Sequence, residues 1–464
     1  MKSKITLLII TLGFLFGFAQ KAPSEINGGE FVFNPEKTEC LNSIQRQAIY
    51  QKIQHNISEL SQQNRLSFST ENRGSHPLFI WPLQKSASNT YNEIYGVSGY
   101  VDHNTSFPNQ LTDYNCGTRS YDTNGGYNHQ GVDYFTWPFG WKMMDDDAVE
   151  IVAAAPGQIV AKNDGEYDRS CNFNSNIWNA VYVQHSDGSI AWYGHMKNGS
   201  TTSKNVGDTV AEGEYLGVVG SSGNSTGPHL HFEVYTDVTF TQLIDPYSGA
   251  CNSFNTDSWW QDQRPYNNPG INAVMTNTSD PVFPTCPTSE TTNASDQFDV
   301  NDLVFLTIYL RDQVSGTSVN LQVIQPDDTV LFNWDFDLTA NYYASWWRWT
   351  FTPAIEGEWK WQATYNGETV THTFNVGTLS VEEANINNTS IYPNPFNDVV
   401  NIDSQIKITK AKVVDISGKT ILTLKDDSSE GIKNLDLNTL SIGMYFVTLT
   451  GEQNQKKTIK LIKR

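Results

Sequence analysis

Two histidines and a carboxylate, set at short even spacings, are the residues of this sequence best suited to hold a metal. In His229-Leu-His231 the imidazoles are two residues apart, so on a strand they face the same side. Leu230, Phe232 and Val234 then share the opposite side, where a core is expected, and Glu233 and Tyr235 continue the histidine face. Two neutral imidazoles on one strand face suit zinc, although a pair of surface histidines would give the same pattern. His129-Gln-Gly-Val-Asp133 sets an imidazole four residues from a carboxylate, a spacing that shares one face on a helix and on a strand alike. The glycines of Asn124-Gly-Gly-Tyr127 and Gly131 favour an extended or looped setting. By itself this pair is a common chance occurrence.

A further histidine follows Ala191-Trp-Tyr-Gly. The run Val181 to Tyr193 reads as a hairpin turning at Asp187-Gly188, which puts His195 just past a strand end. In isolation it reads as a loop histidine. The loop Gly220 to Pro228 leads into the His229 strand. Within it Gly223-Asn-Ser-Thr-Gly227 matches a serine-hydrolase elbow. That elbow needs a strand before it and a helix after it in a βαβ setting. Here a strand follows, so Ser225 is expected to be a turn residue.

The elements that must position these groups are mostly β. Between residues 76 and 275, Val149–Ala155, Ala180–His185, Ile190–Tyr193, Tyr215–Val219 and His229–Tyr235 are closely spaced strand candidates, which predicts an antiparallel β domain. Residues 20–75 form an N-terminal extension or prosegment. In it Ile44, Ile49, Ile53, Ile57 and Leu60 predict one amphipathic helix within Glu39–Gln63. A polar linker over 276–297 precedes a β-sandwich at 298–376, and a second linker over 377–390 precedes a last β unit at 391–464. The 298–376 unit carries Trp334, Trp346, Trp347, Trp349, Trp359 and Trp361. Aromatic platforms can bind glycans. Trp347, Trp349 and Phe351 share one strand face, however, as do Trp359 and Trp361, which is what a sandwich core requires.

The net charge of −20 excludes a nucleic-acid backbone as a partner. Lys2 and Lys4, the apolar stretch Ile5–Phe18, and the small residues Gly17 and Ala19 read as a signal peptide over residues 1–19, cleaved before Gln20. The apolar run is shorter than the roughly 20 residues of a spanning helix, and no later stretch would leave a transmembrane segment in the mature chain. In an oxidising compartment the five cysteines Cys40, Cys116, Cys171, Cys251 and Cys286 are expected to form disulfides, with an odd one left over.

Taken together, His129-x-Gly-x-Asp133, Ala153-Ala-Ala-Pro-Gly-Gln-Ile-Val160, Tyr193-Gly-His195, Gly207-Asp-x-Val210, Gly217-x-Val-Gly220, Ser225-Thr-Gly-Pro-His-Leu-His-Phe-Glu-Val234 and Asp245-Pro246 resemble the M23 peptidase family of lysostaphin- or LytM-type zinc endopeptidases. The resemblance covers about residues 129–247. It implies that His129, Asp133 and His231 are zinc ligands and that His195 and His229 are the catalytic histidines, without saying which takes a proton and which stabilises an oxyanion. It implies a peptide hydrolase acting on peptidoglycan peptides or cross-bridges, or on glycine-rich extracellular proteins such as elastin. Gly140–Asp147 and Asp164–Trp178 look like insertions into the family pattern, able to line the cleft or merely to decorate it. A non-catalytic scaffold that binds wall or matrix, and an adhesin acting through the Trp-rich unit, are the rival readings. Ile391-Tyr-Pro-Asn-Pro-Phe396, Val414-Asp-Ile-Ser-Gly-Lys419, Gly443-Met-Tyr-Phe-Val447 and the end Lys460-Leu-Ile-Lys-Arg464 resemble the C-terminal sorting domain of the type IX (Por) secretion system. That resemblance implies a β-sandwich, the type IX machinery as partner, and a secreted or cell-surface protein carried through the outer membrane. The expected fold is thus an antiparallel β-sheet M23 domain followed by two small β-sandwich domains. Deleting residues 391–464 is expected to leave the chain inside the envelope of its source cell, and fractionation of that cell that finds normal export of the truncated chain would contradict this.

Overall fold

In the computed structural model the chain is described over residues 22–33, 37–68, 75–283, 290–377, 389–404, 406–426, 428, 430–452 and 455–464. The expected signal peptide, Cys286 and most of the 377–390 linker lie outside the described residues. The fold is mostly β: among the described residues strands outnumber helices 27 to 2. Their ladders are antiparallel, except where Gln297–Phe298 runs parallel to Glu368–Val376.

The site is built on one sheet, whose strands run in the order Tyr95–Gly99, Val132–Thr136, His229–Tyr235, Ile190–Gly194, Ala180–Gln184, Gly157–Asn163 and Thr209–Val210. Alternation decides the faces. Leu230, Phe232 and Val234 enter one core with Val132, Tyr134, Val181, Val183, Ala191 and Tyr193, as the sequence pattern predicts. The hairpin turns at Gly188, which takes a φ of 91°, and pairs Gln184 with Ile190.

The predicted helix runs Ser43–Gln62 and starts with a capping box between Asn42 and Gln45. Its buried residues are Arg46, Ile53, Ile57 and Leu60, packed in a core with Val160, Tyr182 and Trp192 on the sheet. Ile44, expected on the apolar face, is instead 81% exposed. It lies two positions, about 200° of helical turn, from Arg46, so it points away from the buried stripe.

A β-sandwich completes the first compact unit, Met1–Gly377. One of its sheets is assembled from four separate stretches of sequence, in the order Ser24–Glu30, Tyr342–Phe351, Val304–Gln313 and Gly270–Asn277. Its inner face packs on the second sheet through a core that includes Trp349, Trp359 and Trp361, and Trp334 stacks on Trp361. Its outer face contributes Ala273, Tyr309 and Ala344 to a cluster with Phe135 and Trp137, next to the site strand Val132–Thr136. Cys116 and Cys251, 135 residues apart, form a disulfide. The second unit, Thr378–Arg464, has a three-stranded sheet and a four-stranded sheet around its own core of Val400, Val413, Leu435, Val447, Leu449 and Leu461.

Trp361 is wholly buried and donates its indole N–H to the Thr307 carbonyl at 3.1 Å. Trp361→Ala is therefore expected to cost about 3–5 kcal/mol by loss of packing and creation of a cavity. Chemical denaturation of the intact chain checks this, and an unchanged midpoint would contradict it.

Candidate metal centre

The register of the central strand brings the site together. His231 sits opposite Asp133 on one neighbouring strand and opposite Gly194 on the other. His195 follows Gly194 directly, and His129 precedes its strand by three residues. The four residues read from type and spacing, and His195, which the family resemblance adds, therefore meet in one place. They are buried, with His129, His195 and His231 at 0% exposure and Asp133 and His229 at 5%.

The Asp133 carboxylate is the hub. One oxygen lies 2.9 Å from His231 Nδ1 and 3.8 Å from His229 Nε2, and the other lies 3.2 Å from His129 Nε2. Burial pushes this carboxyl up, but the imidazoles, His129 foremost, more than reverse the effect and hold it well below the usual carboxylate range.

Backbone carbonyls fix the direction of three rings. His129 Nδ1 is 2.8 Å from the Tyr100 carbonyl, His195 Nδ1 is 2.6 Å from that of Ser222, and His229 Nδ1 is 2.8 Å from that of Gly227. A carbonyl only accepts, so each Nδ1 carries a proton and each Nε2 is the nitrogen turned toward the site. His129 Nε2 and His195 Nε2 are buried and make no hydrogen bond. Burial and then the neighbouring His229 lower the pKa of His195, keeping it neutral. The His195 and His229 rings are 4.3 Å apart.

His231 is held the other way round. Its Nε2 is 2.9 Å from Glu233 Oε2, which leaves Nδ1 facing Asp133. A carboxylate partner of this kind orients an imidazole ligand and raises its basicity. Glu233 is in turn paired with Arg46 of the N-terminal helix, and Arg46 also donates to Tyr235 Oη at 2.9 Å. Burial pushes Glu233 up, but Arg46 and His231 bring it down to about 2.

Two local features show why the sequence looks as it does here. A Cβ on Gly131 would lie 2.5 Å from His231 Nε2, so the position between His129 and Asp133 has no room for a side chain. His195 takes a φ of 62°, a left-handed conformation that L residues adopt at a cost and that clusters at functional sites.

Sequence reasoning missed several residues of the site. Cys40 Sγ is 3.7 Å from His231 Nδ1 and 3.2 Å from Tyr121 Oη. The potential ligand atoms of Cys40, Asp133 and His231 all lie within 4.8 Å of one another. Trp178, from the second insertion, packs its ring against His195 at 5.0 Å and His231 at 5.7 Å. Tyr121 stacks on His129 at 4.2 Å. The odd cysteine count was a signal for Cys40. Arg46, Tyr121 and Trp178 carry none, because their contacts with the site, across 8 to 187 positions, follow no period of a strand or helix. Ser225 is a buried turn residue whose hydroxyl donates to the Gly227 carbonyl at 3.0 Å.

The Cys40 thiol, an Asp133 carboxylate oxygen and a His231 nitrogen within 4.8 Å of one another, with His129 Nε2 3.2 Å from the other Asp133 oxygen, form a buried donor set that fits zinc. His195 and His229 stand beside it, their rings 4.3 Å apart. A mostly antiparallel β domain with this site belongs to a definite class. Residues 128–246 match the model of Peptidase family M23 and residues 390–464 match that of the secretion system C-terminal sorting domain, so the chain carries a domain of each. Over 130 residues it is 32% identical to the cell division protein DipM of Caulobacter vibrioides, covering 26% of this chain and 21% of the relative. Over 84 residues it is 34% identical to the peptidoglycan DD-endopeptidase ShyC of Vibrio cholerae, covering 18% of each. The catalytic domain of lysostaphin from Staphylococcus simulans matches at 27% identity with a TM-score of 0.20, covering 35% of this chain and 96% of that one. The chain thus spans about a fifth of the length of these two curated relatives.

Removing Arg46 would strand the buried Glu233 charge. Arg46→Met is expected to cost about 3–5 kcal/mol, the usual penalty for one half of a buried ion pair. Urea denaturation of the variant reads the loss, and a change below about 1 kcal/mol, the scale of an exposed pair, would show that Glu233 does not depend on this partner.

Proposed function

We propose that the protein is a secreted zinc metalloendopeptidase that cleaves peptide bonds in peptidoglycan peptides or cross-bridges. The observation that carries this reading is the buried Asp133 carboxylate ringed by His129, His229 and His231, with His195 beside them. His129 Nε2, an Asp133 oxygen and His231 Nδ1 would hold the zinc. When bound, it supplies Lewis acidity that polarises the scissile carbonyl and makes water a nucleophile near neutral pH. With Nδ1 held by a backbone carbonyl, His195 and His229 each turn Nε2 toward the site. One accepts the proton of the attacking water and passes it to the leaving amine nitrogen, and the other, in its protonated form, stabilises the oxyanion. The anchors at Ser222 and Gly227 hold both rings in the productive direction without reorganisation.

The likeness to a peptidoglycan DD-endopeptidase supports the choice of substrate class. The matched sorting domain supports export through the type IX system to the cell surface or beyond. Among the described residues no helix is long and apolar enough to cross a membrane.

The proposed roles divide the five residues by measurement. His129→Ala, Asp133→Ala and His231→Ala are each expected to lose bound zinc, and His195→Ala and His229→Ala to keep most of it. The last two should lose about 10²–10⁴-fold in hydrolysis, the usual worth of acid–base help. Zinc stoichiometry beside digestion of purified peptidoglycan and of elastin, with products identified by mass spectrometry, tests both points. Full zinc in the first three variants would refute the ligand set. Near-normal rates in the last two would refute the catalytic roles. A zinc-loaded native chain, freed of any inhibitory contact, that cuts neither polymer would favour the binding scaffold.

A further inference from the structure

A peptidase that cuts a polymer must admit a peptide strand, yet every candidate site residue is at most 5% exposed. The cover is the chain's own N-terminal arm. The Phe33 ring meets the His229 ring edge-on at 5.6 Å and lies against Gly227, where a Cβ would be 2.8 Å from it. The Lys37 ammonium stands over the Tyr121 ring at 5.1 Å. Cys40 reaches furthest in, a buried free thiol.

The position of Cys40 is that of a ligand. In a tetrahedral zinc site with bonds of about 2.0–2.3 Å, neighbouring donor atoms are separated by about 3–4 Å. Cys40 Sγ to His231 Nδ1 is 3.7 Å, Asp133 to His231 Nδ1 is 2.9 Å, and Asp133 to His129 Nε2 is 3.2 Å. The buried Nε2 of His129, without a hydrogen-bond partner, independently calls for an electrophile at this place. A thiolate added to two imidazoles and a carboxylate makes four donors, the number of a closed structural site, whereas a catalytic site keeps one position for water.

The arm is fastened on both sides of the thiol. Before it, Ser24–Glu30 adds a strand to the sandwich sheet along Tyr342–Phe351, Phe31 N–H donates to the Ala344 carbonyl at 2.9 Å, and the Phe31 ring stacks on Trp137 at 4.4 Å. After it, Ser43–Gln62 docks on the sheet through Arg46 and Glu233. Anchored this way, the thiol is delivered at a high effective concentration.

We propose that Cys40 is a fourth, inhibitory ligand of the zinc, and that the arm bearing Phe33, Lys37 and Cys40 keeps the enzyme latent until it leaves the cleft. The inference rests on the zinc site proposed above and adds its regulation. It also gives the Trp-rich sandwich a task, since its sheet edge holds the strand that precedes the thiol.

Zinc K-edge X-ray absorption of the intact chain, its mass verified, reads the ligands directly. One sulfur at about 2.3 Å is expected beside nitrogen and oxygen at about 2.0–2.2 Å. In Cys40→Ser the sulfur contribution should vanish while zinc remains stoichiometric. In the native chain iodoacetamide should spare Cys40 until EDTA removes the metal, as read on the Cys40 peptide by mass spectrometry. The double variant Cys40→Ser/Phe33→Ala should hydrolyse peptide faster on the order of tenfold, as expected if about one native molecule in ten is open. Full zinc with nitrogen and oxygen ligation alone in the native chain would overturn the cysteine ligand and leave the zinc site standing. A native chain that takes up no zinc would overturn both.

Discussion

The carboxylate of Asp133 is an ion taken almost wholly out of water, and the site is arranged to satisfy it. Burying such a group costs several kcal/mol unless partners of opposite or complementary charge surround it. Here the partners are three imidazoles supplied by one strand and one loop. Their placement depends on register. A slip of one residue in His229–Tyr235 would turn both histidines into the core and bring Leu230, Phe232 and Val234 out. The apolar face therefore fixes the polar one. The packing of Leu230, Phe232 and Val234 against Val132, Val181 and Tyr193 is what keeps His231 opposite Asp133.

Around that hub, every ring is held by a group with no freedom to move away. Three imidazoles are tied to backbone carbonyls, and the fourth is tied to Glu233, itself held by Arg46. The left-handed backbone at His195 belongs to the same economy of position. It turns the chain at the strand end so that the ring enters the site instead of continuing along the sheet. Because the arm supplies both Arg46 and Cys40, the segment that covers the site is also wired into the hydrogen bonds that shape it. Loss of the arm would thus expose the histidines and also free Glu233 from its charged partner, so the open site would differ from the covered one in charge as well as in access.

The sandwich serves as scaffold as well as module. Three of its tryptophans fill the inner core, Trp359 and Trp361 wholly buried and Trp349 nearly so, while Trp346 packs on the outer-face cluster. The inner face of its composite sheet is spent on that core and the outer face on the peptidase strands. The sheet edge formed by Tyr342–Phe351 is covered by the shorter N-terminal strand, which becomes the edge of the sheet; short edge strands limit pairing with another chain. The second unit, with its separate core, has the organisation of a portable address.

Much of this was legible in the sequence, and the reasons are local. Period-two alternation gave the site strand its bounds and its two faces, and Asp187-Gly188 marked the hairpin. The spacing His229 to His231 put two donors on one strand face, because side-chain direction repeats over two residues, whereas His129 lies in the loop before its strand and meets Asp133 from there. The apolar stripe of the N-terminal helix was legible too, except for Ile44, whose hydrophobicity does not reveal that its angle falls outside the stripe. Tertiary structure decided the rest. That Cys40 lies against His231, that Arg46 neutralises Glu233, and that Ser24–Glu30 and Gly270–Asn277 join one sandwich sheet are contacts between residues up to 326 positions apart. Such contacts have no periodicity, because they follow from how whole faces pack rather than from the geometry of one element. The sequence by itself determined which atoms are able to bind a metal. The fold determined that the chain's own thiol stands among them, since a side chain's neighbours across a packed core are chosen by shape, burial and charge together, and none of these is written in any single stretch of residues.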